Sequence, residues 1–424
     1  MTQFNHISVI GLGYVGLPTA VAFAQSGIKV SGVDINSHII NMVNRGQIHF
    51  VEPELEIALK TCIKQNTFFA RTTPEASDAF LIAVPTPVDH KTHEVDLSYI
   101  QSAIQSLAPV LQKGNIIILE STVPVGTTAL LADWLATSRP DLTFPQQLGE
   151  YSDIRIAYCP ERVLPGKIMH ELMENDRIIG GMTQACSEQA VRLYQYFVKG
   201  KCLITNSRTA EMCKLTENAF RDVNIAFANE ISMICDKLNI NVWELISLAN
   251  HHPRVNILQP GCGVGGHCIA VDPWFIVNKS PELAKLIKTA RDVNDSKPNW
   301  VIDKVNEAVV TILKGQPTKS IHDLRIACLG LTFKANIDDL RESPALYITE
   351  KLAHDYPNQV LVVEPHIQVL PNNLLSQGVI LTDLKCAIEQ VDILVILVDH
   401  DLFKSLNYNE INETVLIDTK GIFH

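Results

Sequence analysis

The sequence predicts an α/β protein made of two doubly wound domains that are joined by a central helical region. Short runs of apolar and β-branched residues alternate with amphipathic stretches near the N-terminus, and the same alternation returns near the C-terminus. Strands that alternate with helices form βαβ units and therefore parallel sheets. Between the two regions, the segment from Thr209 to Asn239 contains neither glycine nor proline, which predicts one long helix.

Composition and charge limit the classes of protein to which this chain can belong. Its 424 residues are enough for two or three domains, each with its own apolar core. The formal net charge of −11 disfavours general binding to nucleic acid or to an anionic membrane. We find neither a signal peptide nor an apolar run of about 20 residues, and the cysteines show no CxxC pair or zinc-type spacing. We therefore expect a cytoplasmic protein without a metal, in which most cysteines are buried small side chains.

The N-terminal region, residues 1–205, is predicted to form the first parallel sheet and its helices. Amphipathic stretches such as LPTAVAFAQSG and LSYIQSAIQSLAPVLQK predict helices that cover the sheet. Between them lie runs with the composition of strands: HISVIGLG, KVSGVDI, DAFLIAVP, NIIILEST, RIAYCPE and DRIIGGM.

The rest of the chain divides into a helical part and a second α/β part. Residues 206–315 are predicted to hold the long helix and a glycine-rich loop. The polar stretch KGQPTKSIHD, residues 314–323, is typical of a linker. The strands of a C-terminal domain, residues 316–424, are predicted from the runs LRIACLGLTF, QVLVVEP, VDILVILVDH and TVLIDTKG.

The motif VIGLGYVG predicts a Rossmann-like dinucleotide site in the N-terminal domain. Gly11 permits a tight turn after the first strand, Gly13 lets the backbone approach a pyrophosphate, and Gly16 lets helix and strand pack closely. Asp34 ends the next strand, near the spacing expected of a carboxylate that binds the adenosine ribose. An acid there favours NAD over NADP, because it would repel a 2′-phosphate.

Two threonines follow later strands of the same domain. Thr86 lies in AVPTP and Thr122 lies in ESTVPVGT, where a doubly wound sheet presents its carboxyl ends to a ligand. Threonines at such positions also cap turns. The sequence leaves both interpretations open.

The long helix carries Lys214, Asn218 and Arg221 on one face, since they are spaced four and three residues apart. Such a charged face is commonly solvated. Here the neighbouring positions are apolar, which predicts a largely buried helix and therefore an anionic ligand for the stripe, because unpaired buried charge is costly. These apolar neighbours are Leu215, Ala219, Ile225 and Phe227.

The loop GCGVGGHCIAVDP surrounds Cys268 with glycines, a composition that suits a backbone lying close to a ligand. A cysteine near a lysine is a candidate nucleophile, and Asp272 could orient a water or a lysine. The alternative is an ordinary buried cysteine. Charged residues that could join this site precede the loop or follow a strand: Glu161 and Arg162 in YCPERVLPG, and His252 and Arg254 in HHPRVNILQPG.

Taken together, these segments resemble the UDP-sugar 6-dehydrogenases of the UDP-glucose/GDP-mannose dehydrogenase superfamily. The motifs that carry the resemblance cover the whole chain in the family's order: GLGYVGLP, ESTVPVGT, YCPER, AEMCKLTEN, GVGGHCIAVDP and LTFKANIDDLRESP. The loop GGHCIAVDPWF departs from the GGSCFPKD form of the UDP-glucose enzymes. It is similar to the branch that acts on N-acetylhexosamine nucleotides, with UDP-N-acetyl-D-mannosamine as the implied substrate for surface polysaccharide.

The resemblance implies a four-electron oxidation of the sugar at C6 with NAD as the oxidant. Cys268 would form a thiohemiacetal and then a thioester, and water would release the uronate. Lys214 is implied as the acid/base group that also stabilises an oxyanion. The remaining implied catalytic residues, which position water, lysine and substrate, are Asp272, Asn218, Glu161 and Thr122.

The resemblance also implies the binding residues and a homodimer formed through the central helix. The implied NAD contacts come from Gly11, Gly13, Tyr14, Val15, Gly16, Asp34, Thr86, Thr122 and Arg341. The implied UDP-sugar contacts come from Arg162, Val163, Lys214, Asn218, Arg221, His252, Arg254, Gly265, Phe333, Lys334 and Lys420.

Other functions stay open at this stage. Within the enzyme class, UDP-N-acetylglucosamine or UDP-glucose could be the substrate. A non-catalytic nucleotide sensor could keep the fold, but it would need neither Cys268 nor Lys214. A two-electron dehydrogenase would share the GLGYVG turn and a helix lysine, but it would have no use for a loop cysteine.

Overall fold

The computed structural model describes residues 4–50, 52, 54–89, 92–163, 166–407, 411 and 414–423. The chain divides into two compact units, Met1–Thr216 and Glu217–His424. This boundary falls inside the long helix, and the three domain ranges 1–205, 206–315 and 316–424 stay a prediction. In the described part of the chain, no helix is both long and apolar enough to cross a membrane.

The N-terminal unit is built on an eight-stranded sheet with the order β3-β2-β1-β4-β5-β6-β7-β8 among its described residues. Neighbouring strands are parallel except β6 and β7, which are antiparallel. The order reverses between β1 and β4, as in a dinucleotide-binding fold. The strands are β1 His6–Ile10, β2 Lys29–Val33, β3 Phe68–Arg71, β4 Ala79–Ile82, β5 Ile116–Leu119, β6 Arg155–Tyr158, β7 Arg177–Gly181 and β8 Cys202–Asn206.

Helices cover both faces of this sheet, so its central strands are continuous apolar runs such as AFLI in β4, which is buried throughout. One face packs on α1, α3, α7 and α8, and the other on α4 and α5. Sequence analysis missed β3, which carries an arginine, and β8, which is largely exposed at the sheet edge. The helices are α1 Gly16–Gln25, α2 Ser37–Asn44, α3 Leu55–Lys64, α4 Ser98–Leu107, α5 Thr127–Ser138, α6 Pro145–Leu148, α7 Ile168–Glu174 and α8 Gln184–Tyr194.

The predicted long helix is confirmed as α9, Ser207–Leu238. The expectation that it is largely buried is wrong, because Phe220 and Phe227 are 66% and 50% exposed. Its opposite side is polar and buried: Asp222 accepts a 2.6 Å hydrogen bond from Arg291 Nη1, and Asn229 Nδ2 donates to Asn294 Oδ1 over 2.9 Å. The side of α9 on which a residue lies therefore determines whether it is buried, and the apolar character of Phe227 does not.

The C-terminal unit repeats the architecture on a smaller scale, which confirms the predicted fold class. Its described strands are all parallel in the order β11-β10-β9-β12-β13. One face packs on α12, α13 and α14 and the other on α15. The elements are α10 Val242–Ala249, α11 Asp272–Lys279, α12 Lys285–Gly315, β9 Ile326–Leu329, α13 Pro344–Asp355, β10 Val360–Val363, α14 Asn372–Ser376, β11 Ile380–Leu381, α15 Leu384–Gln390, β12 Ile393–Ile396 and β13 Val415–Asp418.

The turn between β1 and α1 yields a test of the fold. A methyl group on Gly16 would clash with the carbonyl oxygen of Gly11 and lie 3.2 Å from Cβ of Ala83, whereas nothing lies within 4 Å of a methyl group on Gly13. We expect Gly16→Ala to destabilise the N-terminal unit by about 3 kcal/mol through overpacking. Calorimetry of the full chain should show this loss as a lower midpoint temperature of thermal unfolding.

Gly13→Ala is the matched control, and its midpoint should stay within about 1 °C of the natural chain. Equal losses in the two variants would contradict this account of the turn.

Candidate active site

The turn after β1 is held by the end of β2. Gly11 N donates to the carbonyl of Val33 over 2.8 Å. The carboxylate of Asp34 accepts hydrogen bonds from Leu12 N at 3.0 Å and from Asn36 N at 2.9 Å. An ionised carboxylate can accept about four hydrogen bonds, so Asp34 keeps acceptor capacity for a ribose hydroxyl.

The same turn fits a dinucleotide. The space above Gly13 is open, since no atom of the described residues would lie within 4 Å of a methyl group there. Helix α1 begins at Gly16, directly after the turn, so the positive end of its dipole lies at the turn. Tyr14 stacks on Phe50 beside the turn, with ring centroids 4.2 Å apart. These features suit the pyrophosphate of NAD.

The two predicted threonines lie together at the carboxyl ends of β4 and β5. The hydroxyl of Thr86 donates to the carbonyl of Thr122 over 2.7 Å. Ser121, the neighbour of Thr122, donates in the same way to Val84 over 2.7 Å. The hydroxyl of Thr86 therefore does stabilise a turn, as the capping interpretation predicts. Its bond joins the loops after β4 and β5, beside the point where the strand order reverses.

Lys214 is anchored by a neutral group in the N-terminal unit. Its Nζ donates a 2.8 Å hydrogen bond to the backbone carbonyl of Glu161, which follows β6. Among the described residues of this unit, no carboxylate lies within salt-bridge distance of the ammonium. The lysine is half-buried. An ammonium that is held without a counterion can exchange its proton with a ligand.

The side chain of Glu161 is occupied by two donors. Its Oε1 accepts from Arg162 N over 2.6 Å, and its Oε2 accepts from Arg177 Nη2 over 2.9 Å. Arg177 also contacts Glu120 Oε1 at 3.5 Å, and that oxygen accepts a 2.6 Å hydrogen bond from the hydroxyl of Tyr194. Arg177, Glu120 and Tyr194 were not predicted from the sequence, because the antiparallel direction of β7 that brings Arg177 to Glu161 is not encoded in a local pattern.

A second missed residue is Glu211, which lies on α9 one turn before Lys214. Its buried carboxylate accepts from Gly126 N over 2.6 Å and from Thr128 N over 2.8 Å, and the hydroxyl of Thr128 also donates to it. Glu211 therefore caps the first turn of α5, which follows the ESTVPVGT motif. The motif AEMCKLTEN contains Glu211, but nothing in the sequence indicates that Glu211 binds the start of α5.

The glycine loop of the C-terminal unit presents Cys268 to solvent. Six of the other cysteines are buried, as expected, whereas Cys268 is exposed. Its carbonyl accepts from Val271 N over 3.1 Å and from Asp272 N over 2.8 Å, which folds the loop into the start of α11. The alternative of an ordinary buried cysteine is therefore excluded.

Asp272 and Asn218 lie together in the same unit. Asn218 Nδ2, on α9, donates to Asp272 Oδ2 over 2.5 Å, and the Asp272 side chain is 2% exposed. A buried carboxylate that is oriented by an amide can align a water or a substrate group. The contact brings two of the residues that the resemblance implies as catalytic together within the C-terminal unit.

Phe333 packs directly on the glycine loop. A side chain on Gly265 would clash with the carbonyl of Glu342 and lie 2.9 Å from Cβ of Phe333, and one on Gly266 would lie 2.8 Å from the Phe333 ring. Gly266 also has a φ of +83°, which side chains disfavour. Nearby, Arg341 forms a forked ion pair with Asp339, at 2.6 Å for Nη2.

Most of the remaining predicted basic residues are exposed. Lys420 is half-buried, with Nζ 3.7 Å from Asp399 and within 3.2 Å of a built Cβ on Gly261. Burial and the charge of Arg341 lower the pKa of His267, which precedes Cys268. Among the predicted binding residues, the exposed cations of the C-terminal unit are Arg221, Arg254 and Lys334, and His252 is exposed as well.

The chain matches three successive domains of the UDP-glucose/GDP-mannose dehydrogenase family. The NAD binding domain matches residues 5–198, the central domain residues 208–296, and the UDP binding domain residues 327–424. The first match includes the turn after β1, and the third includes Lys334 and Lys420.

Individual relatives match the chain from end to end. The UDP-N-acetyl-D-mannosamine dehydrogenase of Escherichia coli strain K12 is 59% identical over 421 residues, 99% of this chain and 100% of the relative. The NDP-N-acetyl-D-galactosaminuronic acid dehydrogenase of Ralstonia nicotianae is 58% identical over 422 residues, 99% and 97% of the two chains. The solved UDP-D-ManNAc dehydrogenase of Pyrococcus horikoshii is 38% identical, with a TM-score of 0.88 and coverage of 99% and 96%.

The contact between Asn218 and Asp272 makes the stability of the C-terminal unit testable by pH. Asn218→Asp would place two carboxylates together, so their pKa values should rise. The variant should then keep its stability at low pH and lose it as pH rises. Its loss of unfolding free energy relative to the natural chain should be larger at about pH 8 than at about pH 5, by on the order of 2 kcal/mol. Calorimetric midpoints at the two pH values measure the difference.

Asn218→Ala controls for loss of the hydrogen bond alone, which costs about 1 kcal/mol with a weaker pH dependence. A deficit of Asn218→Asp that does not change with pH would contradict the buried contact.

Proposed function

Because this chain belongs to the UDP-glucose/GDP-mannose dehydrogenase family, we propose that it oxidises UDP-N-acetyl-D-mannosamine at C6 to the uronate. The observation that carries the proposal is the exposed Cys268 on a glycine loop directly before Asp272 and α11. Identity of 59% to the Escherichia coli UDP-N-acetyl-D-mannosamine dehydrogenase over 99% of this chain supports the choice of sugar. A binding protein without catalysis would gain nothing from such a thiol.

The reaction removes four electrons from one carbon in two stages. Bound NAD supplies the oxidising power by accepting a hydride from C6 in each stage. The thiolate of Cys268 would add to the C6 aldehyde to give a thiohemiacetal, which holds the carbon for the second oxidation. Oxidation of that adduct gives a thioester, and attack by water releases the uronate and returns the thiol.

Lys214 is the group that we assign to proton transfer. The alcohol at C6 must lose a proton in the first stage, and an oxyanion forms when sulfur or water attacks. As the neutral amine, Lys214 would accept the proton of the C6 hydroxyl, and the ammonium formed in this way would stabilise the oxyanion. Among the described residues of its unit, its partner is the backbone carbonyl of Glu161, so no fixed carboxylate competes for that charge. Asp272 and Asn218 would orient the attacking water, and Glu161 and Thr122 would help to position the lysine and the substrate.

The remaining predicted residues would hold the two nucleotides. Asp34 and the turn that contains Tyr14 and Val15 would bind NAD, with Thr86 and Arg341 as further contacts. The pyrophosphate of the UDP-sugar requires cations, because the net charge of the whole chain is −11. The residues that we assign to the UDP-sugar are Arg162, Val163, Lys214, Asn218, Arg221, His252, Arg254, Gly265, Phe333, Lys334 and Lys420.

Other hexosamine nucleotides are the second candidates. The Ralstonia nicotianae relative is named for N-acetyl-D-galactosaminuronic acid and is 58% identical, which favours testing the galactosamine nucleotide. UDP-N-acetylglucosamine and UDP-glucose complete the set. These sugars differ in configuration at ring carbons or in the 2-substituent, and all present the same C6 alcohol to Cys268.

We further infer a homodimer that acts in the cytoplasm on precursors of surface polysaccharide, of the enterobacterial common antigen type. Support for the dimer comes from α9, where Phe220, Phe227 and Ile234 recur every seven residues and are 66%, 50% and 45% exposed. Exposed large apolar side chains in one row of a helix are typical of a face that packs against a partner.

The substrate is tested by counting NADH. Purified protein should produce two NADH per molecule of UDP-N-acetyl-D-mannosamine, and much less with the galactosamine, glucosamine and glucose nucleotides. Absorbance of NADH and chromatography of the uronate measure the ratio. One NADH per sugar would indicate a simple alcohol dehydrogenase, and none with any sugar would indicate a binding protein.

Cys268→Ala tests the covalent route. It should abolish uronate formation while NAD binding, measured by calorimetric titration, stays within about twofold, because the thiol is not part of the turn after β1. Cys386→Ala, at a half-exposed cysteine of the same unit, is the control and should keep full activity. Undiminished uronate formation by Cys268→Ala would remove the thioester from the proposal.

A further inference from the structure

A buried guanidinium lies behind the anchor of Lys214. Arg177 begins β7 and is 5% exposed. Because β7 is antiparallel to β6, its first residue reaches the edge where the parallel strands end: the register Ala157↔Gly181 and Tyr158↔Gly180, continued outward, places Arg177 opposite Glu161. The fold therefore brings one cation to the carboxyl edge of the sheet.

Arg177 is held from several sides. Its guanidinium lies 4.5 Å from the ring centroid of Tyr194, which ends α8. Nη2 donates to Glu161 Oε2 at 2.9 Å, and Nη1 lies 3.5 Å from Glu120 Oε1 and 3.7 Å from Cys159 Sγ. The shorter distance to Glu161 makes that carboxylate the principal partner.

Glu161 consequently connects two cations. Its side chain accepts from Arg177, and its backbone carbonyl accepts the 2.8 Å hydrogen bond from Lys214. Since Oε1 also accepts from Arg162 N, the side chain and the following peptide are both fixed. A shift of the Glu161 side chain would turn the peptide and displace the acceptor of Lys214.

We propose that Arg177 is a positioning residue for Lys214. Arg177 acts by binding the carboxylate of Glu161, and the charge of Glu120 determines how strongly Arg177 binds it. The inference rests on the proposed function, in which Lys214 transfers the proton at C6. Arg177 acts through Glu161 and needs no contact with the substrate.

The charge of Glu120 decides how the guanidinium is shared. Burial raises the pKa of Glu120 to about 7, against the lowering effect of Arg177 and with Glu161 adding to the rise. Tyr194, Cys159 and Thr19 are the other groups that act on it. When Glu120 is protonated, Glu161 is the one carboxylate that neutralises Arg177. When Glu120 ionises, the guanidinium is divided between two carboxylates, and its hold on Glu161 weakens.

The first experiment measures Lys214 directly and needs no substrate. An amine-reactive acylating reagent is added to the full chain, and the modification rate of each lysine is followed by peptide mass spectrometry. In Arg177→Met, Lys214 should react several-fold faster, whereas exposed Lys199 should not change. Arg192→Met, at an exposed arginine on α8, is the matched control and should leave Lys214 at its natural rate. An unchanged Lys214 rate in Arg177→Met would overturn the proposal, whatever the enzyme oxidises.

The second experiment separates positioning from stability. Arg177→Met leaves two buried carboxylates without a cation, so its midpoint should fall, and kcat should fall about ten- to a hundredfold with little change in KM. The double variant Arg177→Met, Glu120→Gln replaces the acid of Glu120 with a neutral amide, so it should regain stability at pH values where Glu120 ionises, without regaining kcat. Recovery of kcat together with the midpoint would show a merely structural role.

Glu120→Gln alone covers the case in which Arg177→Met does not fold. It keeps the shape and removes the ionisation, so an inflection of kcat near pH 7 in the natural enzyme should be lost. The same inflection in Glu120→Gln would overturn the part assigned to Glu120. If the natural enzyme oxidises none of the UDP-sugars, the proposed function fails, while the acylation rates still decide the contact.

Discussion

The close packing of the glycine loop on Phe333 is the constraint on which the candidate chemistry depends. Side chains at Gly265 and Gly266 would lie 2.9 Å and 2.8 Å from Phe333, so the backbone can pass over the ring only without them. The chain then turns at Cys268, whose carbonyl accepts the first N–H groups of the α11 region. The thiol is thereby exposed on a rigid turn, next to a buried carboxylate in Asp272. Removal of this constraint would leave Cys268 without the backbone turn that exposes it.

Charge is arranged differently in the two units. In the N-terminal unit, Lys214 binds a neutral carbonyl, and the carboxylates around it are used elsewhere: Glu161 by Arg177, and Glu211 by the first turn of α5. The lysine thus keeps its charge available. In the C-terminal unit, exposed cations such as Lys334 would provide the local attraction that we propose for a pyrophosphate, on a chain whose net charge is −11. Local groups, not the overall field, must bind the anionic substrate.

Local patterns were sufficient for much of this molecule. The alternation of strands and helices gave the fold class, and the interval without glycine or proline gave α9 to within two residues. Motif position placed Thr86 and Thr122 after the ends of two strands, which proved to be neighbours, and the two loops are joined by a hydrogen bond. The prediction that Phe227 is buried was wrong, because apolar composition does not indicate which face of a helix is covered. Arg177, Glu120 and Glu211 were missed, since each acquires its role from a partner tens of residues away.

The central claim is that Cys268 bonds covalently to C6 of the sugar during turnover. The most direct measurement is to mix the natural enzyme with UDP-N-acetyl-D-mannosamine and NAD, stop the reaction in acid within one turnover, and map the peptides by mass. The account predicts the mass of an acyl-linked nucleotide sugar on the peptide that contains Cys268, lost again at long times. Two NADH per sugar without any such adduct on that peptide, at any time sampled, would contradict it.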